Sequence, residues 1–382
     1  MTMTIDKSLW GGTEAFDHLL LDIRNRRQEF ESQRYISQDI IERFKEIGVY
    51  RAMVPRIYGG DEKSPRQFLE MVEAVAAADG SAGWVASFGM SPAYLAALPE
   101  ATVTRIWKES PDIVFAGGIF PPQKVKRVDG GFKVTGRWKF GSGSPGADYI
   151  GVGIIPEGDE QPLPRMAVMP KDKVTIDPVW DMVGMQGTGS HDLVVEEVFV
   201  PEDWTFIRGA KPNVDTPFFK FPSLSFAAQV LSVTSLGMAR EALDEVQQSA
   251  AGRQSVTGAP NLGEREYVQI EIAKAEAKVR ASRAFFYESV DAAWEQIIQG
   301  SAPSREQTNL LRLSTTHLTQ ACSEAVQACY QVSGMTSAEN ANPLSQISRN
   351  TMLCTQHAFM GAVTLKNAGA MFFGHDPLPG YL

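Results

Sequence analysis

The sequence predicts an α+β protein with an N-terminal helical domain, a central antiparallel β-domain and a C-terminal four-helix bundle. Apolar residues follow helical spacing at first, alternate with polar residues in the middle of the chain, and then return to helical spacing. The 382-residue chain is long enough for two to three domains at roughly 150 residues each. We therefore divide it into residues 1–112, 113–215 and 216–382.

Two segments carry clear helix signals in the first domain. Between Ser37 and Val49, Ile40, Ile41, Phe44 and Ile47 recur at helical spacing. In the second segment, Ser64 is the expected N-cap and Pro65 the first helical residue. Residues 79–98, rich in Gly, Ala and Ser, favour a helix packed closely against a neighbour.

Strand signals begin near residue 113. Phe132, Val134 and Trp138 alternate with polar residues after the dipeptide Asp129-Gly130, which predicts a β-hairpin. Further strands are expected at 149–155, 165–169, 174–177 and 193–200. Short strands without intervening helices indicate an antiparallel sandwich or barrel. Residues 201–222, rich in proline and charge, read as a connector.

Four long amphipathic helices are expected after the connector. One runs from about Ser225 to Ala250, and three apolar stripes begin at Val268, Leu311 and Leu344, the last one continuing to Phe372. Long amphipathic helices joined by short loops are typical of a bundle.

Composition excludes several classes of function. The net charge of −9 makes a nucleic-acid partner unexpected. Three cysteines, an odd number, favour a reducing, cytoplasmic location over a disulfide framework. The first residues contain no apolar signal-peptide core, and no run of about 18 apolar residues occurs, so we expect neither secretion nor a membrane span.

Common ligand motifs are weak or missing. Residues 141–146 match G-x-G-x-x-G in form, but a strand rather than a helix follows, which argues against a dinucleotide fold. The five histidines have no metal-binding companions, so no metal site is expected. Cys322 and Cys329 lie on one helix face, where core packing is the preferred interpretation.

Two glycine-rich stretches, 136–149 and 180–202, are more informative. Barrel turns would explain their glycines but not the neighbouring Trp138, Phe140, Trp180 and Met182. Glycine lets backbone N–H groups approach a ligand, and an aromatic side chain offers a flat face to another ring. On these residues alone, tight turns and a planar heterocycle site both stay open.

A family resemblance depends on five motifs in combination with the helical, β, helical order. The motifs are DGSAGWV (79–85), GRWKFGSG (136–143), VGMQGTGSHDL (183–193), VFVPE (198–202) and SRNTMLCTQH (348–357). Over about residues 15–375 the chain resembles the acyl-CoA dehydrogenase superfamily. Within it, the chain most resembles the group D aromatic and indole hydroxylases, which are two-component flavin monooxygenases. The resemblance implies the acyl-CoA dehydrogenase-like fold and a homotetramer.

The resemblance also implies roles for single residues. Ser142 matches a hydroxyl that faces flavin N5, and Phe140 matches an aromatic beside the ring. The turn formed by Thr188, Gly189 and Ser190 matches one that lies against the isoalloxazine or the ribityl chain.

Two arginines are implied as further cofactor-binding residues. Arg253 roughly matches an arginine that reaches a flavin phosphate, although RQSVTG here departs from the family's arginine, aromatic, glycine pattern. Arg349 begins the run that matches the dehydrogenases' base-bearing segment.

His357 is the expected catalytic partner of Ser142. A dehydrogenase of this superfamily needs a carboxylate base, yet no Asp or Glu occurs between Glu339 and Asp376. By resemblance, His357 lies within about one position of that base, on the last helix's apolar stripe. Imidazole titrates near neutral pH, so we expect a protonated His357 beside the flavin. A hydrogen-bonded packing role is the alternative.

The implied activity is reduced-flavin-dependent monooxygenation. Reduced FAD (FADH2, with FMNH2 possible) would react with O2 to a C4a-hydroperoxide that hydroxylates or epoxidises a small aromatic of the indole or phenol type. A separate NAD(P)H-dependent flavin reductase would supply the reduced flavin. The alternatives are an acyl-CoA dehydrogenase or nitroalkane-type oxidase with a relocated base, and a non-catalytic binding protein.

The substrate pocket must exclude water. Its candidate apolar wall residues, which could equally be ordinary core, are Trp84, Phe88, Phe115, Ile119 and Phe120. No basic cluster is evident along the sequence, so a neutral bicyclic such as indole is the first expected substrate.

Overall fold

The N-terminal part of the computed structural model is helical. The structure describes residues 5–158, 163–252 and 260–382. Its first helices are α1 (Thr13–Asn25), α2 (Arg27–Gln33), α3 (Gln38–Glu46), α4 (Pro65–Ala78), α5 (Gly80–Ala86), α6 (Pro92–Leu95) and α7 (Glu100–Glu109). The predicted N-cap of α4 is confirmed, because the Ser64 side chain accepts from the Gln67 backbone N–H in a capping box.

A seven-stranded sheet follows in the described residues, with strand order β5-β6-β2-β1-β3-β4-β7. The strands are β1 (Phe115–Val128), β2 (Gly131–Gly141), β3 (Tyr149–Pro156), β4 (Arg165–Pro170), β5 (Thr175–Asp177), β6 (His191–Pro201) and β7 (Thr205–Ile207). The predicted hairpin is confirmed, since Val128 of β1 pairs with Gly131 of β2.

Two predictions about the β part are wrong. The sheet is not purely antiparallel, because β1 and β3 are parallel. The chain leaves β2 at Gly141 and comes back on the opposite side of β1, which makes β3 run in the direction of β1. The expected connector contains β7, where Phe206 pairs with Met166 of β4. A three-residue strand is too short to show periodicity.

The C-terminal helices are α8 (Ser223–Gly252), α9 (Glu266–Ile298), α10 (Arg305–Val332), α11 (Pro343–Cys354) and α12 (Ala362–Phe372). The last apolar stripe was expected to be one helix, and this expectation is wrong. The chain turns between α11 and α12, where the His357 ring accepts from the Phe359 N–H and caps a short 3-10 turn. The three-domain division is retained as a proposal.

The N-terminal helices pack closely on the bundle. A Cβ atom at Gly237 of α8 would collide with the carbonyl oxygen of Glu73 in α4. The Glu73 side chain is 1% exposed, pairs with Arg283 of α9 at 3.0 Å and accepts from the Tyr287 hydroxyl at 2.6 Å. A fully partnered buried carboxylate fixes its helices relative to each other. The packing of α4 on α8 and α9 also positions α5, which directly follows α4 and carries Trp84.

Among the described residues, no helix combines the length and the apolarity needed to cross a membrane.

We expect Gly237→Ala to lower the free energy of unfolding by about 1–3 kcal/mol, because the added methyl overpacks the contact between α4 and α8. Gly369→Ala is the matched control, since a Cβ there meets nothing within 4 Å. On α12 the control should gain roughly 0.5–1 kcal/mol from helix propensity. Denaturant titration checks both, and a change of the same sign in the two variants would contradict this packing.

Candidate active site

The two glycine-rich stretches meet through a chain of three hydroxyls. Ser142 Oγ lies 2.6 Å from Ser190 Oγ, which lies 2.6 Å from Thr188 Oγ1. The backbone N–H of Gly143 also donates to the Thr188 carbonyl at 2.8 Å. Ser142 is 9% exposed, Ser190 4% and Thr188 2%. The structure therefore brings the predicted cofactor-binding hydroxyls together.

The hydrogen bonds between the three hydroxyls all run in one direction. The Thr188 hydroxyl donates to the Met185 carbonyl at 2.8 Å, so it must accept from Ser190. Ser190 has one proton, so the bond to Ser142 uses the proton of Ser142. The remaining hydrogen-bonding capacity of Ser142 is that of an acceptor.

The bundle holds the turn that carries Thr188. The Met185 N–H donates to Asn350 Oδ1 of α11 at 2.6 Å, and Asn350 is 3% exposed. Gly184 lies directly against the Arg349 backbone, where a Cβ would leave no room. Asn350 was missed in the sequence, because a helical amide has no local signal that distinguishes it from a surface residue.

Arg349 is already engaged by protein groups. Its guanidinium pairs with Glu31 at 2.6 Å and donates to Ser345 Oγ at 2.6 Å. It lies next to Asn350 and helps to connect α11 to the N-terminal helices. Its contact with a flavin stays a prediction.

Exposed apolar side chains occur in the same two stretches as the hydroxyls. Phe140 has φ 66°, lies in a β-bulge between Trp138 and Gly141, and is 57% exposed. Its ring meets Trp180 edge-on, with centroids 6.2 Å apart. Val183 is 53% exposed, and Gln186 Oε1 is buried without a partner. An exposed ring and an unpaired buried polar atom in these two stretches fit the flat apolar body and polar edge of an isoalloxazine.

His357 is neutral in this structure, which corrects the expectation of a protonated ring. Burial, reinforced by the charges of Arg208 and Arg312, lowers the pKa of His357 to about 4. Because Nδ1 accepts from the Phe359 N–H at 3.2 Å, the ring proton lies on Nε2. His357 can therefore act as a neutral donor through Nε2–H.

Two of the five predicted wall residues lie between the hydroxyls and His357. The Trp84 ring meets the His357 ring at 5.7 Å between centroids. Phe88, one helical turn later, lies beside Gly143, where a Cβ would be 3.2 Å from Phe88 Cδ2. The short segment that carries both rings thus connects the turn at Gly143 with His357.

The other three wall candidates are on or near β1. Phe115 lies against Gly151 of β3 and is 5% exposed, so the structure places it in the core of the sheet. Ile119 is half-buried and packs on the core, and Phe120 is 54% exposed. Their role as pocket wall stays a prediction.

Two arginines beside His357 were missed, because they are far apart in a sequence in which no basic cluster is evident. Arg312 of α10 is 4% exposed, and its Cζ lies 4.9 Å from the centroid of the Phe359 ring. Arg208, just after β7, lies 5.5 Å from the same ring. Phe359 in turn contacts His357 at 5.1 Å between centroids.

Arg253 lies outside the described residues. Among the residues that are described, no group of three His, Cys, Asp or Glu side chains could hold a metal ion.

Known relatives match almost the whole chain. Residues 229–362 match the family model described as acyl-CoA dehydrogenase, C-terminal domain. The chain is 58% identical to an indole-3-acetate monooxygenase of Pseudomonas putida, with 96% of this chain and 95% of the relative covered. It is 50% identical to an indole-3-acetate monooxygenase of Acinetobacter baumannii, with 96% and 95% covered. An FADH2-dependent resorcinol hydroxylase, oxygenase component, of a Rhizobium species is 28% identical, with 88% and 87% covered.

Solved structures show the same architecture. A 3-HSA hydroxylase from a Rhodococcus species superposes with a TM-score of 0.90 at 26% identity, covering 97% of this chain and 98% of the other. XiaF from a Streptomyces species, in complex with FADH2 and glycerol, gives a TM-score of 0.89 at 20% identity, covering 97% of this chain and 98% of the other.

The depressed pKa of His357 predicts an acid-sensitive stability term. Protonation favours the unfolded chain, where the pKa of this group returns to about 6.5, so stability should fall as the pH drops from 6.5 towards 4. Relative to His357→Gln, wild type should lose roughly 1 kcal/mol by pH 5.5 and 2–3 kcal/mol by pH 4.5. Urea unfolding over a pH series measures this, with the exposed His18→Gln variant as control. Parallel pH profiles for wild type and His357→Gln would contradict a neutral His357.

Proposed function

Since the chain belongs to the two-component flavin-dependent monooxygenases of the acyl-CoA dehydrogenase superfamily, we propose that it oxygenates indole-3-acetate or a close analogue. The relatives at 58% and 50% identity are named for that substrate. The structural observation that supports the proposal is the aromatic wall of Trp84, which contacts His357, and Phe88, which lies beside Gly143. An indole ring suits such a wall by stacking or edge-on contact.

Flavin is the cofactor of this enzyme, and O2 is its cosubstrate. Bound reduced flavin supplies the electrons that activate O2. We assign Ser142, Thr188 and Ser190 to the polar edge of the ring and Phe140 to its side. FADH2 is our preferred form, with FMNH2 as the alternative.

The residues of the chain hold protons and exclude water. Ser142 is an acceptor towards the flavin, because its proton is used by Ser190. His357 offers its neutral Nε2–H from the other side of the site. Trp84, which is 9% exposed, and Phe88 keep bulk water away from the reacting atoms.

The dehydrogenase alternative loses support at His357. A dehydrogenase base has to take an α-proton, and a carboxylate performs that task in the commonest pattern of the superfamily. The charged groups that shift the pKa of His357 are two arginines and no carboxylate. A positive environment keeps the ring from accepting a proton, which disfavours a relocated base here.

Relatives named as oxygenase components imply a separate reductase. We propose that an NAD(P)H-dependent flavin reductase is the partner and that the location is cytoplasmic, where the three free cysteines would stay reduced.

We propose a homotetramer as the assembly. Exposed apolar side chains concentrate around α12, where Val363 is 60% exposed, Phe372 60% and Phe373 83%. Several large exposed apolar side chains on and next to one short helix support an association surface. Sedimentation velocity at micromolar concentration should show about four times the 41.9 kDa chain mass. A 41.9 kDa species alone would contradict this assembly.

The proposed activity is tested with 18O2. Protein, flavin, a flavin reductase, NADH and indole-3-acetate should yield a product that carries one 18O atom. Omission of the protein is the control for free reduced flavin, which releases peroxide without oxygenating the substrate. Oxygenation of phenols but not of any indole would refute the proposed substrate, and consumption of NADH with no labelled product would refute the activity.

The one-way hydroxyl chain predicts a preference for reduced flavin. The N5 atom of reduced flavin carries a hydrogen, so Ser142 can accept a hydrogen bond from it. The N5 atom of oxidised flavin carries none, so it needs a hydrogen-bond donor. Ser190→Ala frees the Ser142 proton, so oxidised flavin should bind roughly two- to ten-fold more tightly, the value of one hydrogen bond. The ratio of the affinity for reduced flavin to the affinity for oxidised flavin should therefore decrease.

Fluorescence titration of oxidised flavin and anaerobic titration of reduced flavin measure the two affinities. Ser289→Ala is the matched control, because it removes a buried hydroxyl of α9 that donates to the Phe286 carbonyl away from the site. An unchanged ratio of the two affinities in Ser190→Ala would contradict the direction assigned to the hydrogen bonds between the three hydroxyls.

A further inference from the structure

Arg312 is a buried cation with almost no compensation. It is 4% exposed, its side chain donates to the Leu224 carbonyl at 3.2 Å, and its Nε is buried without a partner. Among the described residues, the charged and titratable groups that act on it are Arg208, Tyr94 and Tyr381, and none of them is a carboxylate. An unpaired charge is costly to bury, so its presence requires an explanation.

Arg208 brings a second positive charge to the same place. It comes from a different element, directly after β7, and its Nε is also buried without a partner. The guanidinium carbons of Arg208 and Arg312 lie 5.5 and 4.9 Å from the centroid of one ring, that of Phe359. Burial, together with the charge of Arg208, lowers the pKa of Arg312, so the two like charges repel each other unless an anion lies with them.

Several other buried or half-buried arginines of the described residues have acidic partners. Arg27 pairs with Glu241 at 2.8 Å, Arg283 with Glu73 at 3.0 Å, and Arg240 with Glu276 at 2.7 Å. The fold therefore supplies carboxylates to buried arginines elsewhere. At Arg208 and Arg312 the described residues supply aromatic rings, the Leu224 carbonyl and the Tyr94 hydroxyl, and none of these groups is a carboxylate.

Cation–π contacts alone explain this pair poorly. Arg312 does lie over Phe359 and, at 5.3 Å, over Tyr381. A ring quadrupole attracts one cation, but it does not offset the repulsion between two of them or satisfy their N–H groups. The pair retains hydrogen-bonding capacity that suits an anion.

The arginine pair lies at the end of the aromatic wall. Ring contacts continue from Trp84 to His357 at 5.7 Å and from His357 to Phe359 at 5.1 Å, and both arginines lie over Phe359. A ligand with an aromatic ring near Trp84 and an acidic side chain would bring its charge to this end.

We propose that Arg208 and Arg312 together bind the carboxylate of the aromatic substrate, and that they make the enzyme selective for aryl-acetic acids over neutral indoles. The proposal depends on the proposed function for the identity of the acid. Two guanidinium groups offer parallel N–H donors that match carboxylate geometry. A neutral indole would leave both cations unpaired, and this penalty produces the selectivity.

The test measures ligand binding to the flavin-free protein, so it does not depend on turnover. Isothermal titration calorimetry compares indole-3-acetate with 3-methylindole, which keeps the ring and lacks the carboxylate. Wild type should bind the acid at least about ten-fold more tightly. Arg312→Met and Arg208→Gln should each lower the affinity for indole-3-acetate by roughly ten- to a hundred-fold, as expected for a lost charged hydrogen bond. Each should change the affinity for 3-methylindole by less than about two-fold.

Three further measurements separate binding from folding. Arg312→Met should melt no lower than wild type without ligand, because it removes an unpaired buried charge. Arg312→Lys should recover part of the acid affinity, since it restores the charge but not the fork of donors. Arg105→Gln, which removes an exposed arginine over Trp204, is the control for net charge and should bind both ligands as wild type does.

The outcomes discriminate between explanations. Equal weakening of acid and neutral ligand in both arginine variants, or no preference of wild type for the acid, would overturn the proposal. Loss of reduced-flavin affinity with unchanged acid affinity would also overturn it, by assigning the pair to the flavin. If wild type fails to oxygenate indole-3-acetate while the arginines still select aryl-acetic acids, the proposed function fails and this inference stands.

Discussion

The site depends on one contact between the bundle and the β part. The Met185 N–H donates to the buried Asn350 amide at 2.6 Å, and Gly184 lies directly against the backbone of α11. The turn fixed in this way carries Thr188, whose carbonyl accepts from the Gly143 N–H at 2.8 Å. Ser142 is therefore positioned by the bundle, although it lies on the sheet. A buried N–H group without an acceptor costs free energy. The Met185 N–H therefore strongly favours its hydrogen bond to Asn350.

The charge distribution divides the site into two ends. At one end, three neutral hydroxyls form a chain in which each proton has a fixed direction. At the other end, burial and the positive charges of two arginines keep His357 neutral. Neutral donors and acceptors suit a flavin edge whose protonation differs between redox states. A positive end suits a substrate that brings its own negative charge.

The sequence predicted the order of helices and strands because those features are periodic and local. The Ser64 cap and the Asp129-Gly130 turn are short-range signals, and both are present as expected. The break between α11 and α12 was missed because the apolar stripe continues across it. The parallel pairing of β1 with β3 depends on the path of the chain between strands, which periodicity does not encode.

The site was predictable only in part, for a related reason. Ser142, Thr188 and Ser190 lie in recognisable glycine-rich motifs, so their meeting could be anticipated. Arg208 and Arg312 come from distant elements, and their shared ring is Phe359 of a third segment. No sequence window contains such a pair, and neither residue has an unusual neighbour. The protonation state of His357 follows from its burial and from these arginines, which are tertiary features, so the prediction of a protonated ring was wrong.

The central claim is that the Asn350 contact holds the flavin-binding turn, and flavin affinity tests it most directly. Asn350→Leu keeps the side-chain volume and removes the acceptor. Asn367→Leu is the matched control. Asn367 lies in α12, is buried, and accepts a hydrogen bond from the Leu378 N–H at 3.0 Å. In anaerobic titrations of reduced flavin, we expect Asn350→Leu to raise Kd at least about ten-fold and Asn367→Leu to leave Kd near the wild-type value. A wild-type Kd in folded Asn350→Leu would contradict the account.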